Sequence, residues 1–188
     1  MTLAYCAFVL VDSWIFQHRQ EQNLERLRAA SAASPVSLIE SAESPSPPPA
    51  TANSIKNSPG GLIGRIEILR LGVSVLVVEG SAKSTLRRAA GHIIGTALPG
   101  QPGNIGVSAH RDTFFRPLRN IQHDDIITFA TASGDYRYRV VSTTVVSPNN
   151  VAVLDPDGTE ILTLVTCYPF YFVGAAPKRF IVRAARIL

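Results

Sequence analysis

Cysteine is almost missing from this chain: 188 residues contain only Cys6 and Cys167. Two thiols exclude a disulfide framework and a thiolate zinc cluster, so the protein is read as disulfide-free and metal-free. Charge is sparse too, at 17% of residues, with 18 basic against 14 acidic side chains and a net charge of +4. The basic residues are scattered, with no stripe of interleaved aromatics, which argues against nucleic acid as a partner. Acidic clusters are lacking; the loop 148–158 offers Asp155 and Asp157 alone, too few for a calcium site. No cofactor is implied. Long apolar runs are also short in supply. Leu3 to Val11 is apolar, but Asp12 and Ser13 interrupt before Trp14-Ile15-Phe16. Residues 2–16 make about 22 Å of helix at roughly 1.5 Å per residue, against a bilayer core of about 30 Å. No Ala-x-Ala-like site follows, so a cleaved signal peptide is not indicated either.

What is present divides in order. Residues 17–33 are rich in Gln, Glu, Arg, Leu and Ala, with Leu24 and Leu27 as the apolar side, and read as a solvated stalk helix. From 34 to 59, seven serines and six prolines fill half of 26 positions. Such a stretch cannot bury enough apolar surface to fold, so 34–61 reads as a disordered tether. In polyproline form the 26 residues 34–59 reach at most roughly 80 Å, at about 3.1 Å per residue. Beyond 62 the text becomes that of a packed β domain, long enough for a single core. Strands are expected over 63–69, 73–78, 126–131 and 136–146, with a short helix over 84–90 capped by Ser81 or Ser84. Little helix and frequent strands indicate an all-β sandwich or barrel.

The chemistry gathers at three strand ends. Ile161-Leu162-Thr163-Leu164-Val165 is an apolar run suited to a strand buried on both faces, and Pro169 stops it near Cys167. Most strand cysteines are inert packing. The neighbours alter that reading: His110 ends a second apolar run, 104–109, and Arg179 opens a third, Arg179-Phe180-Ile181-Val182. A thiol, an imidazole and a guanidinium at strand ends form a plausible thiol-activating set.

The motif Thr163-Leu164-Val165-Thr166-Cys167, with His110 57 residues earlier (167 − 110) and Arg179 12 residues later (179 − 167), resembles the sortase family of cysteine transpeptidases of bacterial surfaces. The text from Gly103 to Thr113 resembles the family's histidine strand and loop, and the likeness covers residues 62–188. The Cys-Tyr-Pro-Phe ending is most similar to class D or a related class. The resemblance implies a closed eight-stranded β-barrel as the catalytic domain, 62–188. It also implies an N-terminal membrane anchor in 1–16 with the domain outside the cell. The basic residues that should precede such an anchor lie after it, at Arg19, Arg26 and Arg28, so the anchor is expected to extend upstream.

On this likeness Cys167 attacks a Leu-Pro-x-Thr-like sorting signal, forms a thioester, and passes the peptide to an amine acceptor on the wall or on a protein. His110 serves as acid and then base. Arg179 holds the oxyanion or clamps the substrate backbone, with Arg183, on the same strand face, as its rival. Thr166 contacts substrate through its backbone or hydroxyl. His18 belongs to the stalk, His123 to a turn beside Asp124 and Asp125, and His92 to Gly91-His92-Ile93, with substrate contact as its minor reading. Two rivals remain: a hydrolytic cysteine peptidase using the same pair, and a tethered, non-catalytic β-module that binds peptides. Papain-like and caspase signatures are absent around the cysteine.

Overall fold

The computed structural model describes residues 2–32, 60–156, 158–171 and 174–187. The 34–61 tether lies outside them but for its last two residues. Eight strands close into a barrel in the order β1-β2-β3-β4-β7-β8-β6-β5. They are β1 (Leu62–Ile68), β2 (Val73–Glu79), β3 (Ala90–His92), β4 (Asn104–Ser108), β5 (Ile126–Thr131), β6 (Gly134–Val146), β7 (Ile161–Tyr168) and β8 (Lys178–Ile187). Two neighbouring pairs run parallel, β2 with β3 and β4 with β7, and the rest are antiparallel. The eight-stranded barrel expected from the resemblance is therefore the fold.

Alternation builds the core. Successive side chains of a strand point to opposite faces, and one set fills the barrel: Ile66, Ile68, Val75, Val77, Ile105, Val107, Ile127, Phe129, Tyr138, Val140, Leu162, Leu164, Val182 and Ala184. Each fully buried aliphatic or aromatic side chain contributes about 1.5–3 kcal/mol of transfer free energy. Gly72 turns β1 back into β2 with a φ of 63°, a left-handed conformation that favours glycine.

Two local expectations differ. The helix expected over 84–90 is a four-residue piece, α2 (Lys83–Leu86), with Ala82 at its N-cap position and no side-chain cap. Ala90 and Gly91 instead form β3, which sequence reading missed. A Cβ on Gly91 would stand 2.4 Å from the Gly80 carbonyl oxygen, so the chain is squeezed against the end of β2. Tertiary contact outweighs alanine's helix propensity here.

Helix α1 (Thr2–Ala32) is continuous through the apolar and polar halves. Gln17, Glu21, Leu24 and Arg28 recur at helical spacing and form one stripe against the barrel. Leu24 is buried, while Leu27 faces out. Gln17 accepts from the Leu76 amide at 3.1 Å and donates to the Arg88 carbonyl at 2.5 Å. Arg28 donates to the Thr131 carbonyl at 2.9 Å and pairs with Asp135; Glu21 pairs with Arg65. A solvated stalk helix was expected over 17–33; these residues are helical to Ala32, but they dock on the barrel, largely through polar groups that hydropathy does not register. Among the described residues, no helix is long and apolar enough to cross a membrane.

Candidate active site

The Thr-Leu-Val-Thr-Cys stretch makes sense residue by residue once β7 is seen between β4 and β8. Leu164 and Thr166 turn into the barrel; Thr163, Val165 and Cys167 turn out. Both threonines tie β7 to β4. The Thr163 hydroxyl donates to Asn104 Oδ1 at 2.6 Å, and the Thr166 hydroxyl donates to the Ala109 carbonyl at 2.8 Å. A hydroxyl in a buried strand is unfavourable unless it is bonded, and here each one bolts neighbouring strands together.

Register brings distant residues level. In the parallel β4–β7 pair, Gly106 faces Thr163 and Ser108 faces Val165. The Ala109 amide continues the ladder to the Val165 carbonyl at 3.3 Å. Two residues further along the chain come Cys167, still in β7, and His110, two residues past the end of β4; both are half-buried, as are Ser108 and Val165. On the other side of β7, Cys167 pairs directly with Arg179 in the antiparallel β7–β8 ladder. Strands lie about 4.8 Å apart, so Cys167 and Arg179 are level neighbours in the sheet, while His110 opens the turn that leaves β4 on the other side of β7. Arg183 shares the outer face but pairs with Thr163, four residues and about 13 Å back along the strand. Lys178 is exposed, opposite Tyr168.

Local contacts set each group. His110 is half-buried, and its carbonyl accepts from the amides of Thr113 at 3.4 Å and Phe115 at 3.1 Å. Fully buried Phe115 anchors that turn. Cys167 is a half-buried free thiol. Arg179 is half-buried, and its Nη1 donates to the carbonyls of Ala176 at 3.2 Å and Lys178 at 3.0 Å. Beyond Cys167, rings pack in sequence: Phe170 meets Phe180 edge-on at 5.3 Å, and Tyr168 stacks on Phe180 at 6.3 Å.

The outer face of β4 and β7 opens toward this level. At its lower end it is covered: Asn104 Nδ2 donates to the Val153 and Asp155 carbonyls at 3.0 and 3.2 Å. At Gly106 a Cβ would lie 3.0 Å from Leu154 and 3.2 Å from Ile93, so only glycine fits without movement. Ser108, Val165, His110 and Cys167, by contrast, are all half-buried. The less covered strip of this face thus runs from Ser108 and Val165 to the thiol.

Thr166, expected to meet substrate through its backbone or hydroxyl, is 2% exposed, and its hydroxyl donates to the Ala109 carbonyl. Arg111 passed unnoticed beside His110; it is buried and reaches the Pro169 and Gly174 carbonyls. Asp112, next in line, is exposed, with its carboxylate 3.4 Å from Arg111 Nε. His92 is buried away from that strip. Its Nδ1 lies 3.0 Å from Glu79, and its Nε2 2.9 Å from both the Ala97 carbonyl and the Thr96 hydroxyl. His123 sits in a surface turn against Asp124, 2.9 Å away, and Asp124 has a φ of 68°. His18 lines a cavity of about 200 Å³ where α1 meets the barrel.

Residues 66–187 match the domain family described as the sortase domain. The chain belongs to the sortase family. It is 33% identical to Sortase D of Bacillus subtilis over 135 residues, 71% of this chain and 68% of that protein. Among solved structures it is similar to a Clostridium perfringens Sortase D5 transpeptidase, with a TM-score of 0.64 and 29% identity over 72% of this chain and 85% of that one. It is also similar to sortase C-1 of Actinomyces oris, with a TM-score of 0.64 and 25% identity over 89% of this chain and 99% of that one. The likeness is class D-like, as the ending of the cysteine motif suggested. Sortases are transpeptidases that act on sorting-signal substrates and are associated with the cell surface.

Proposed function

We propose that this sortase cleaves a Leu-Pro-x-Thr-like sorting signal through a thioester on Cys167 and transfers the peptide to an amine acceptor at the cell surface, with residues 1–16 belonging to a membrane anchor. What supports the site reading is the direct pairing of Cys167 with Arg179, together with the β4–β7 register that runs to Ser108 and Val165, two residues before His110 and Cys167. A rigid sheet holds reacting groups in place with little entropy left to lose.

In this reading an extended peptide lies along the strip over Ser108 and Val165, with the scissile carbonyl above Cys167. Once its proton has passed to His110, the Cys167 sulfur attacks the carbonyl carbon and the oxygen gains charge. The Arg179 guanidinium leaves its loop carbonyls to meet that oxyanion or to hold the adjoining backbone, which its planar fork suits. His110 gives a proton to the departing amine as the C–N bond breaks, leaving the thioester. An incoming amine then attacks, His110 takes its proton, and the C–S bond breaks to release the joined product and the thiol. The Thr166 hydroxyl is occupied within the protein, so any contact of that residue with substrate falls to its backbone.

The test is intact-protein mass spectrometry after incubation with a Leu-Pro-x-Thr peptide library. An acyl adduct on Cys167, lost in Cys167→Ala and converted to ligated product by added amine, is expected. Adduct formation that gives only hydrolysed peptide, whatever the amine, would favour a peptidase. Arg179→Lys keeps the charge but loses the fork. It should lower turnover by about 100-fold, the scale seen when one oxyanion donor is removed, and near-normal turnover would refute the role.

A further inference from the structure

We infer that Arg111 is a positioning residue for the transfer reaction: its guanidinium sets the connection between β7 and β8, and through that connection the stance of Cys167 and Arg179. The inference rests on the reading of those two residues given above.

Arginine is among the side chains least often buried, yet Arg111 is only 6% exposed. A buried guanidinium is strongly unfavourable unless its donors are used. Here they reach across a loop. Nη1 donates to the Pro169 carbonyl at 2.8 Å and Nη2 to the Gly174 carbonyl at 3.2 Å. Those carbonyls lie five residues apart in sequence, one just after Cys167 and the other on the approach to Arg179. A planar fork spans both limbs at once, and a lysine's single nitrogen cannot do so from the same place.

The same loop holds Arg179, whose Nη1 donates to the Ala176 carbonyl, two residues past Gly174. A third arginine steadies the loop from outside: Arg119 donates to the Tyr171 hydroxyl at 2.8 Å and lies 5.5 Å from its ring centroid. Arg111 directly follows His110, so one short segment carries the acid–base group and the strut under the nucleophile's loop. Shifting that loop would move the backbone of Cys167 and Arg179 relative to His110. The relation of all three, rather than peptide affinity, is what Arg111 would govern.

The experiment measures the rate of Cys167 adduct formation against peptide concentration for wild type, Arg111→Lys and Arg111→Met, below each variant's melting temperature. The expected result is a fall in the saturating rate of about tenfold for lysine and about 100-fold for methionine, the scale of a misplacement of up to 1 Å. The half-saturating concentration should stay within about twofold. A saturating rate near wild type in folded Arg111→Lys, even with a lowered melting temperature, would show that Arg111 serves stability alone. If Arg111→Lys does not fold, Tyr171→Phe decides. Tyr171 is 76% exposed, and losing its link to Arg119 should slow adduct formation at saturation several-fold; an unchanged rate overturns the inference. Absence of a Cys167 adduct in wild type would instead overturn the underlying reading of the site.

Discussion

Thr166→Val tests the idea that the strand holding the nucleophile is bolted to the strand holding the imidazole. Threonine and valine have nearly the same shape and both suit a strand, so the change removes little but the hydroxyl. That hydroxyl donates to the Ala109 carbonyl at 2.8 Å, and both residues are at least 95% buried. A buried acceptor left without its partner costs about 1–3 kcal/mol. The added methyl returns part of that, since a buried methylene contributes about 0.8 kcal/mol. The net loss should be about 1–2 kcal/mol. For a unit of this size it lowers the melting temperature by about 3–10 °C. The bond also lies one residue before both His110 and Cys167. Its loss should slow Cys167 acylation about tenfold, a fraction of what 1 Å of misplacement can do. Thermal unfolding and single-turnover acylation read the two effects. Thr166→Ser, which keeps the hydroxyl, should acylate within about threefold of wild type by the same geometric argument. If the serine and valine variants behave alike, the hydroxyl is not what aligns the strands.

Two other predictions probe the frame. Asp125 accepts from Arg70 Nε and Nη2 at 2.5 Å each and from the Gln122 amide at 2.8 Å, and the Arg70 guanidinium holds its carboxyl below the ordinary carboxylate range. Its native-state value lies below its unfolded one, so its stabilisation is complete above the unfolded value of about 4 and fades as pH falls through the native value. Denaturant unfolding should therefore find Asp125→Asn less stable than wild type at neutral pH, with the gap closing in acid; a gap independent of pH would refute the pairing. Leu24→Ala removes the buried apolar contact of α1 with the barrel. Hydrogen exchange should show the Leu76 amide, bonded to Gln17 at 3.1 Å, losing protection as the helix lifts; unchanged protection would mean that the polar contacts suffice.

Much of the site was legible from the chain because its signals are local. An apolar β-branched run halted by Pro169 marks a strand end at Cys167, and β7 does end at Tyr168. Alternation gave most of the strands, and the resemblance supplied the closed barrel. Strand β3 escaped because three residues, Ala90 to His92, carry no periodicity; they are extended because β2 and β4 enclose them. Arg111 escaped, as did the bond of the Thr166 hydroxyl to Ala109, because both act on carbonyls, and a carbonyl has no letter in a sequence. The stripe of α1 was half-visible: Leu24 marked it, while Gln17, Glu21 and Arg28 read as solvent-facing polar residues.

By itself the sequence determined which side chains stand at strand ends and which face of each strand is apolar, since both follow from residue type and a period of two. It could not determine that the ends of β4 and β7, which lead into His110 and Cys167, 57 residues apart, lie side by side. That depends on parallel pairing across a crossover, with the register set by interlocking contacts such as Thr163 with Asn104 and Gly106 beneath Leu154. Nor could residue type and periodicity separate Arg179, which the resemblance had chosen, from Arg183, since the two are chemically equal and share one face. Only the antiparallel register, which sets one opposite Cys167 and the other opposite Thr163, separates them, because position along a neighbouring strand is a property of the closed sheet and not of either residue.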